Sequence, residues 1–272
     1  MTGIFQTGEF LKHMEELRYR VIRMLAAFMV ASIFFLIFRL NTVTFNGYTF
    51  PMIYPDPYAN MGAQFLAMIE SHVLPSGTQL LIVRPTDGLM ADFYSCMFLG
   101  LSTSMPVVIY QLWLFIRPAL RTVEVKVLRQ VVIPGTALFI AGAFFGVWFV
   151  APQIFRIFNQ FDVGLGAVSS VSLMNFVSFI LMYVVIFGIS FEVPVFMVAL
   201  TTAGVVSAKL WRDNWRYAVV GSFVFGMIFS PGVTGFTMIV MAIPMILLYS
   251  AGIIVTERME ARKVVEPEPS AD

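Results

Sequence analysis

Three carboxylates stand where their chemistry has to be accounted for. Glu192 interrupts the apolar run VVIFGISFEVPVFMVAL at 184–200, with Pro194 two residues further on. A charged carboxylate at the middle of a membrane helix costs about 2.5 to 3.5 kcal/mol on insertion scales, so it must keep its proton or find a partner. Several outcomes stay open: a hydrogen bond within the bundle, snorkelling to the nearer interface, or a polar contact offered to a partner's transmembrane helix. Pro194 would loosen the helix there and leave a carbonyl free. Glu16 lies in GEFLKHMEELRYRVIRM, where Phe10, Leu11, Met14, Leu17 and Val21 recur at helical spacing and Glu9, Lys12, His13, Glu16 and Arg20 share the other face. On spacing alone Glu16 is a surface charge paired with Arg20 one turn later, worth about 0.3 to 0.5 kcal/mol. Glu124 follows Pro118 in QLWLFIRPALRTVEVKVLRQ, a basic connection in which a carboxylate on its own reads as solvated.

Other chemistries lack their residues. The two histidines, His13 and His72, are far apart in sequence, and the sole cysteine, Cys96, cannot form an intrachain disulfide. No metal or cofactor site is expected. A membrane-embedded serine–histidine pair, paired aspartates on facing spans and a phosphate-cradling glycine loop are all missing, so the chain does not read as an enzyme. A net charge of +1 gives no reason to expect nucleic acid.

These carboxylates must be positioned by membrane helices. Of the 272 residues, 59% are hydrophobic and 12% charged, and the mean hydropathy is +0.85, which marks an integral membrane protein held by the lipid bilayer. The expected fold is all-α, one membrane domain over 22–256 with six transmembrane helices at about 22–40, 93–115, 131–152, 171–197, 217–229 and 236–256. Pro231 and two glycines in SPGVTG separate the fifth span from the sixth. Residues 1–21 form an amphipathic cytoplasmic leader, which is too polar for a cleavable signal peptide. The acidic, proline-punctuated tail 257–272 is expected to be disordered. Fourteen of the 17 Lys and Arg residues fall in the leader, the second and fourth connections and the tail, leaving only Arg39, Arg84 and Arg156 opposite. That asymmetry puts both termini in the cytoplasm. The long outer connection 41–86 reads as an irregular cap, with AQFLAMIESHVLP as a short amphipathic helix at the interface.

Five stretches, HMEELRYR, PVVIYQLWLFIRPALRTVE, FGISFEVPVF, RYAVVGSFVFGMIFSP and AIPMILLY, together resemble the TatC family, the core subunit of the twin-arginine protein translocase. The likeness is nearly full length and in order. It implies a six-span, glove-shaped bundle in a bacterial or archaeal cytoplasmic membrane. Such a bundle receives folded cargo through twin-arginine signal peptides and draws on the proton-motive force. Partners implied are TatA-type and TatB-type single-span subunits, with more than one copy in the receptor complex. Carried over by the resemblance, Glu16 and Glu124 match acidic signal-peptide contacts, Phe115 an aromatic one, and Glu192 an intramembrane glutamate. A carboxylate suits an arginine pair because each guanidinium presents a planar fork that lysine lacks. The chain departs from the family in having no acidic residue in SPGVTGF and in the length of its first outer loop. The competing reading of the isolated Glu192 beside proline is a proton- or ion-coupled secondary transporter, for which inverted repeats would be expected and none is visible.

Overall fold

A computed structural model of the chain describes residues 3–45, 48–116, 131–230 and 235–265. Glu124, Pro118 and Pro231 lie outside the described residues. The first helix, α1 (Gly3–Ile37), has 35 residues and no Gly or Pro from Glu9 onward. At 1.5 Å per residue it is about 52 Å long, against a hydrocarbon core of about 30 Å. From Gly3 onward the expected leader is therefore not a separate element but the cytoplasmic end of the first span. The span stops at Ile37, short of the expected residue 40. Leu25, Met29, Val30, Ile33, Phe34 and Ile37 stay exposed along α1, as suits a surface that faces lipid.

The outer connection is more ordered than a cap of irregular loop. Strands β1 (Phe38–Phe45) and β2 (Tyr48–Pro55) pair antiparallel, rich in Thr, aromatic and branched residues around an Asn-Gly dipeptide. That combination is a hairpin signal which the proline content had obscured. The base is clamped by Arg39 and Asp56 at 3.1 Å and by the Asp56 amide donating to the Ile37 carbonyl at 2.9 Å. The Arg39 hydrogen bond holds the Asp56 carboxyl below the usual carboxylate range, so this clamp weakens as pH falls through that lowered value.

The expected short helix is present as α2 (Met61–Val73), begun by Asn60, whose Oδ1 accepts from the Ala63 amide. Its buried Ile69 and Val73 join a core with Ala91, Phe98, Val147, Phe176 and Val184. It therefore packs on the bundle instead of lying at the lipid interface. Asn60 Nδ2 also donates to Asp92 Oδ2 at 2.6 Å, fastening the start of α2 to α3 (Asp87–Ile116). Strand β3 (Gln79–Leu81) pairs parallel with β4 (Ser170–Ser172), tying the first outer connection to the second.

The third span is longer than the expected 131–152. Helix α4 runs Ile133–Phe145, relaxes into a π-turn at Gly146–Val150 and continues as Ala151–Gly164. The fourth span breaks at Glu192, which ends α5 (Leu173–Phe191) and starts α6 (Val193–Thr202). Pro194 has no N–H for the Ser190 carbonyl and would crowd it, which favours a break at this point. A short α7 (Ala208–Asp213) leads into α8 (Trp215–Phe229), too short to span the core without thinning it. The last helix, α9 (Gly235–Val265), overruns the expected end at 256. Residues 257–265 are thus helical, not disordered. Glu257 grips Arg212 at 2.5 and 2.6 Å, and Glu260 caps the Ala208 amide at 2.9 Å.

Helices approach closely where glycine allows it, the mode of packing available when lipid is as apolar as the side chains. A Cβ on Gly100 would sit 2.8 Å from Ser32 Cα and N on α1. On Gly188 it would sit 2.5 Å from the Phe139 ring. Because backbone cannot rotate aside, Gly100→Val should displace α1 at a cost of about 1 to 3 kcal/mol. A thermal-unfolding series in detergent should show a midpoint several degrees lower, while Gly221→Ala, which meets nothing within 4 Å, should leave it unchanged or higher.

The basic asymmetry is checked by impermeant thiol labelling. A cysteine at Tyr58, 98% exposed, should react only from outside, and one at exposed Lys209 only from the cytoplasm. Any reversal removes the six-span orientation.

Candidate functional site

Two features converge on the cytoplasmic half of α3. The first is a polar corner between α1 and α3. Arg20 Nε donates to Glu16 Oε1 at 3.0 Å, a second guanidinium nitrogen engages the same oxygen, and Arg20 also reaches Gln111 Oε1 on α3 at 3.4 Å. The spacing-based pairing of Glu16 with Arg20 is therefore present, and the Arg20 side chain is 15% exposed while that of Glu16 is 33% exposed. Gln111 is buried, and Phe115, one turn further along α3, is half-buried at the same end. On the outer side of this corner Arg23 hydrogen-bonds Tyr19 and lies 4.2 Å over its ring. Sequence reasoning did not single out Gln111. Its signal was available: a lone carboxamide near the end of an apolar span needs a partner.

The second feature is a membrane-level cavity of about 760 Å³ bordered by α3, α4, the α5–α6 junction, Trp211 and Tyr249. Met105, Ile109, Trp113, Phe139 and Phe196 make its walls apolar, and Glu192 lines it. The Glu192 carboxyl is tucked toward α4, where a Cβ on Gly135 would come within 3.1 Å of Oε2. Its Oε1 is buried without a hydrogen-bond partner, as is Nε1 of Trp113 in the same lining. Each such orphan carries a desolvation cost of about 1 to 3 kcal/mol, recovered when a complementary group arrives. A second cavity of about 460 Å³ between Trp113, Leu138, Val255 and Met259 is bordered by Pro194. Gly135 and Trp113 were not legible as site residues. Nothing in the apolar pattern distinguishes them from packing residues.

The structure brings Glu16 near α3 through Arg20 and Gln111 and places Glu192 on the cavity wall: one at the membrane surface, one inside. Among the described residues no three His, Cys, Asp or Glu side chains gather as a metal site. Five described helices are long and apolar enough to cross a membrane, and α8 is a shorter sixth.

A six-helix, multi-pass membrane protein with an acidic surface corner and an intramembrane polar cavity is the class these features define. The family described as Sec-independent protein translocase protein (TatC) matches residues 12–244. The chain is 36% identical over 255 residues to the Sec-independent protein translocase protein TatC of Cenarchaeum symbiosum (strain A), covering 94% of this chain and 97% of that one. It is 30% identical over 249 residues to the TatC protein of Aquifex aeolicus (strain VF5), covering 89% and 92%. Among solved structures it resembles a crystal structure of the twin arginine translocase receptor TatC in DDM, with a TM-score of 0.69 at 29% identity, covering 90% of this chain and 99% of that one. A further crystal structure of that receptor gives 0.66, also at 29% identity, covering 90% and 98%. The chain belongs to the TatC family and is a multi-pass membrane component of the Sec-independent twin-arginine protein translocase. That membership replaces the secondary-transporter reading.

Proposed function

We propose that the chain is the receptor for twin-arginine signal peptides and the core around which TatA-type and TatB-type single-span subunits assemble, in several copies, to export folded proteins at the expense of the proton-motive force. It catalyses no covalent step. The observation that carries this reading is the Glu16 carboxylate already clasped by a guanidinium, that of Arg20. A signal peptide's arginine replaces a like group with a like group, so the carboxylate changes partner without losing its hydrogen bonds. Glu124 supplies the second carboxylate, and Phe115 an apolar surface for the residues beside the arginine pair. The resemblance to solved receptors supports this reading.

Glu192 serves a second step. Its orphan oxygen offers a hydrogen bond to a polar side chain on a partner's transmembrane helix. Pairing two groups that are each costly to bury selects that helix over an apolar one. Pro194, by breaking the helix at Glu192, sets the carboxyl at a junction instead of on a continuous face.

Glu124→Gln and Glu16→Gln should each weaken crosslinking of a twin-arginine peptide roughly tenfold or more, since a hydrogen bond to a charged group is worth about 1.5 to 3 kcal/mol. A twin-lysine peptide serves as background. Full crosslinking in both variants would return the two residues to solvated surface charges.

Glu192→Ala should keep membrane insertion and peptide crosslinking near normal while lowering partner crosslinking and stopping cargo export. Glu192→Gln, which retains the hydrogen-bonding shape, should recover a substantial part of export. A Gln variant as inactive as Ala with partner contacts intact would shift the role of Glu192 to proton transfer.

A further inference from the structure

The β1–β2 ribbon has no charged residue from Leu40 to Pro55, yet it is not buried. Leu40, Met52 and Ile53 are each about half exposed. Its register sorts the side chains into two faces: Phe38 stands opposite Pro55, Leu40 opposite Ile53 and Thr42 opposite Pro51. Strand alternation places these six on one face, continued toward the tip by Thr44 opposite Thr49, and Arg39, Asn41, Met52 and Tyr54 on the other, continued by Val43 opposite Phe50 and Phe45 opposite Tyr48. The first face is wholly uncharged, and at its base, from Phe38 and Leu40 to Ile53 and Pro55, it is apolar. The second carries at its base the Arg39–Asp56 ion pair and exposed Asn41, whose Oδ1 accepts from the Thr42 amide at 2.9 Å, and toward the tip the exposed Met52 and Phe50.

The apolar face does not begin at the ribbon. The Phe38 ring lies 4.8 Å from that of Phe34 on α1, and Phe34 is exposed alongside Val30, Ile33 and Ile37. The stripe of α1 that lipid must cover therefore runs without a gap onto Phe38, Leu40 and Ile53. We propose that this face of the ribbon rests on the hydrocarbon and glycerol region of the outer leaflet, so that α1 is anchored at its outer end by a β-ribbon lying in the membrane interface.

Lipid is the occupant that the composition fits. A ribbon of this size exposed to water would be an open apolar patch with unpaired strand edges, a standing aggregation hazard. A second copy of the chain would need charged or strongly polar groups to fix its register, and this face offers only threonine hydroxyls, whereas lipid needs no register. The edge nearest the bundle is also closed. Gln64 on α2 accepts from the Leu40 amide at 3.3 Å and donates to its carbonyl at 2.8 Å. The Asp56–Ile37 hydrogen bond makes the ribbon's base rigid with α1. Its seat in the interface then fixes the depth of the helix whose other end carries Glu16.

The test uses the full chain in nanodiscs of phosphatidylethanolamine and phosphatidylglycerol, with a nitroxide on a single cysteine at Ile53 or at Asn41. Cys96→Ala provides the background. Because Cys96 is buried, the unaltered chain, in which that thiol stays unlabelled, serves if the substitution lowers expression. Collision with dissolved oxygen and with a water-soluble nickel chelate is read by power saturation. The Ile53 label should favour oxygen over nickel several-fold more than the Asn41 label. Nickel reaching both sites equally would place the ribbon in water and overturn the proposal. Neither probe reaching Ile53 would show it covered by protein, a second copy included, and would equally overturn it. Exclusion of nickel from Asn41 as well would overturn the two-faced seating.

Discussion

The hydrocarbon core contains no water, and most of this structure follows from that. Each backbone N–H and C=O inside it must find its partner within the protein, which long helices do by themselves. Hydroxyls obey the same constraint. Ser32, Ser95, Thr136, Ser222 and Ser250 each donate to the carbonyl four residues earlier. Against so complete a pairing the exceptions carry information. Among the described residues of the membrane helices, Ser102, Trp113 and Glu192 hold a buried polar side-chain atom without a partner. Two of these three line one cavity.

The same constraint shapes the break at Glu192. A proline does not by itself end a membrane helix, since α3 and α9 run on through Pro106 and Pro244. At Pro194 the helix instead divides. Gly252 of α9 packs close to Pro194 and Met197 there, and the carboxyl of Glu192 finds room beside Gly135. On the proposed function, the surface corner and the cavity are joined by one element. α3 presents Gln111 to Arg20 and, two residues on, Trp113 to the cavity. A peptide clasped at the corner is thus held within a turn or two of the site at which a partner helix would be chosen.

The outer end of the bundle is held by polar contacts of a different kind, between segments distant in the chain. Asn60 caps α2 and reaches Asp92, Arg39 meets Asp56, and β3 pairs with β4 across the first and second outer connections. These are made where water and headgroups begin, so each replaces solvent contacts and adds modestly. Their combined effect is to make the outer ends of α1, α3, α4 and α5 one unit, while the cytoplasmic ends keep the cavities.

Hydrophobic runs, prolines and the distribution of Lys and Arg were enough to show a polytopic membrane protein, its helix count and its expected orientation, because bilayer thickness acts on each segment separately. Glu16 with Arg20 and a loosening of the helix by Pro194 were legible for the same reason, since both depend on residues within one turn of each other, but the fourth span read as continuous over 171–197 and its division at Glu192 did not show. The β1–β2 ribbon left a local mark in its Thr-rich strands and Asn-Gly dipeptide, masked by prolines. The parallel β3–β4 pair left none, because its strands are about ninety residues apart. Residues 257–265 read as disordered since nothing local shows that Arg212 and the Ala208 amide wait opposite Glu257 and Glu260. Only the tertiary structure placed Gln111 beside Arg20, and Trp113 and Gly135 around the carboxyl of Glu192. Such positions are decided by which helices pack together, a matter of close glycine contacts across the bundle that hydropathy does not record.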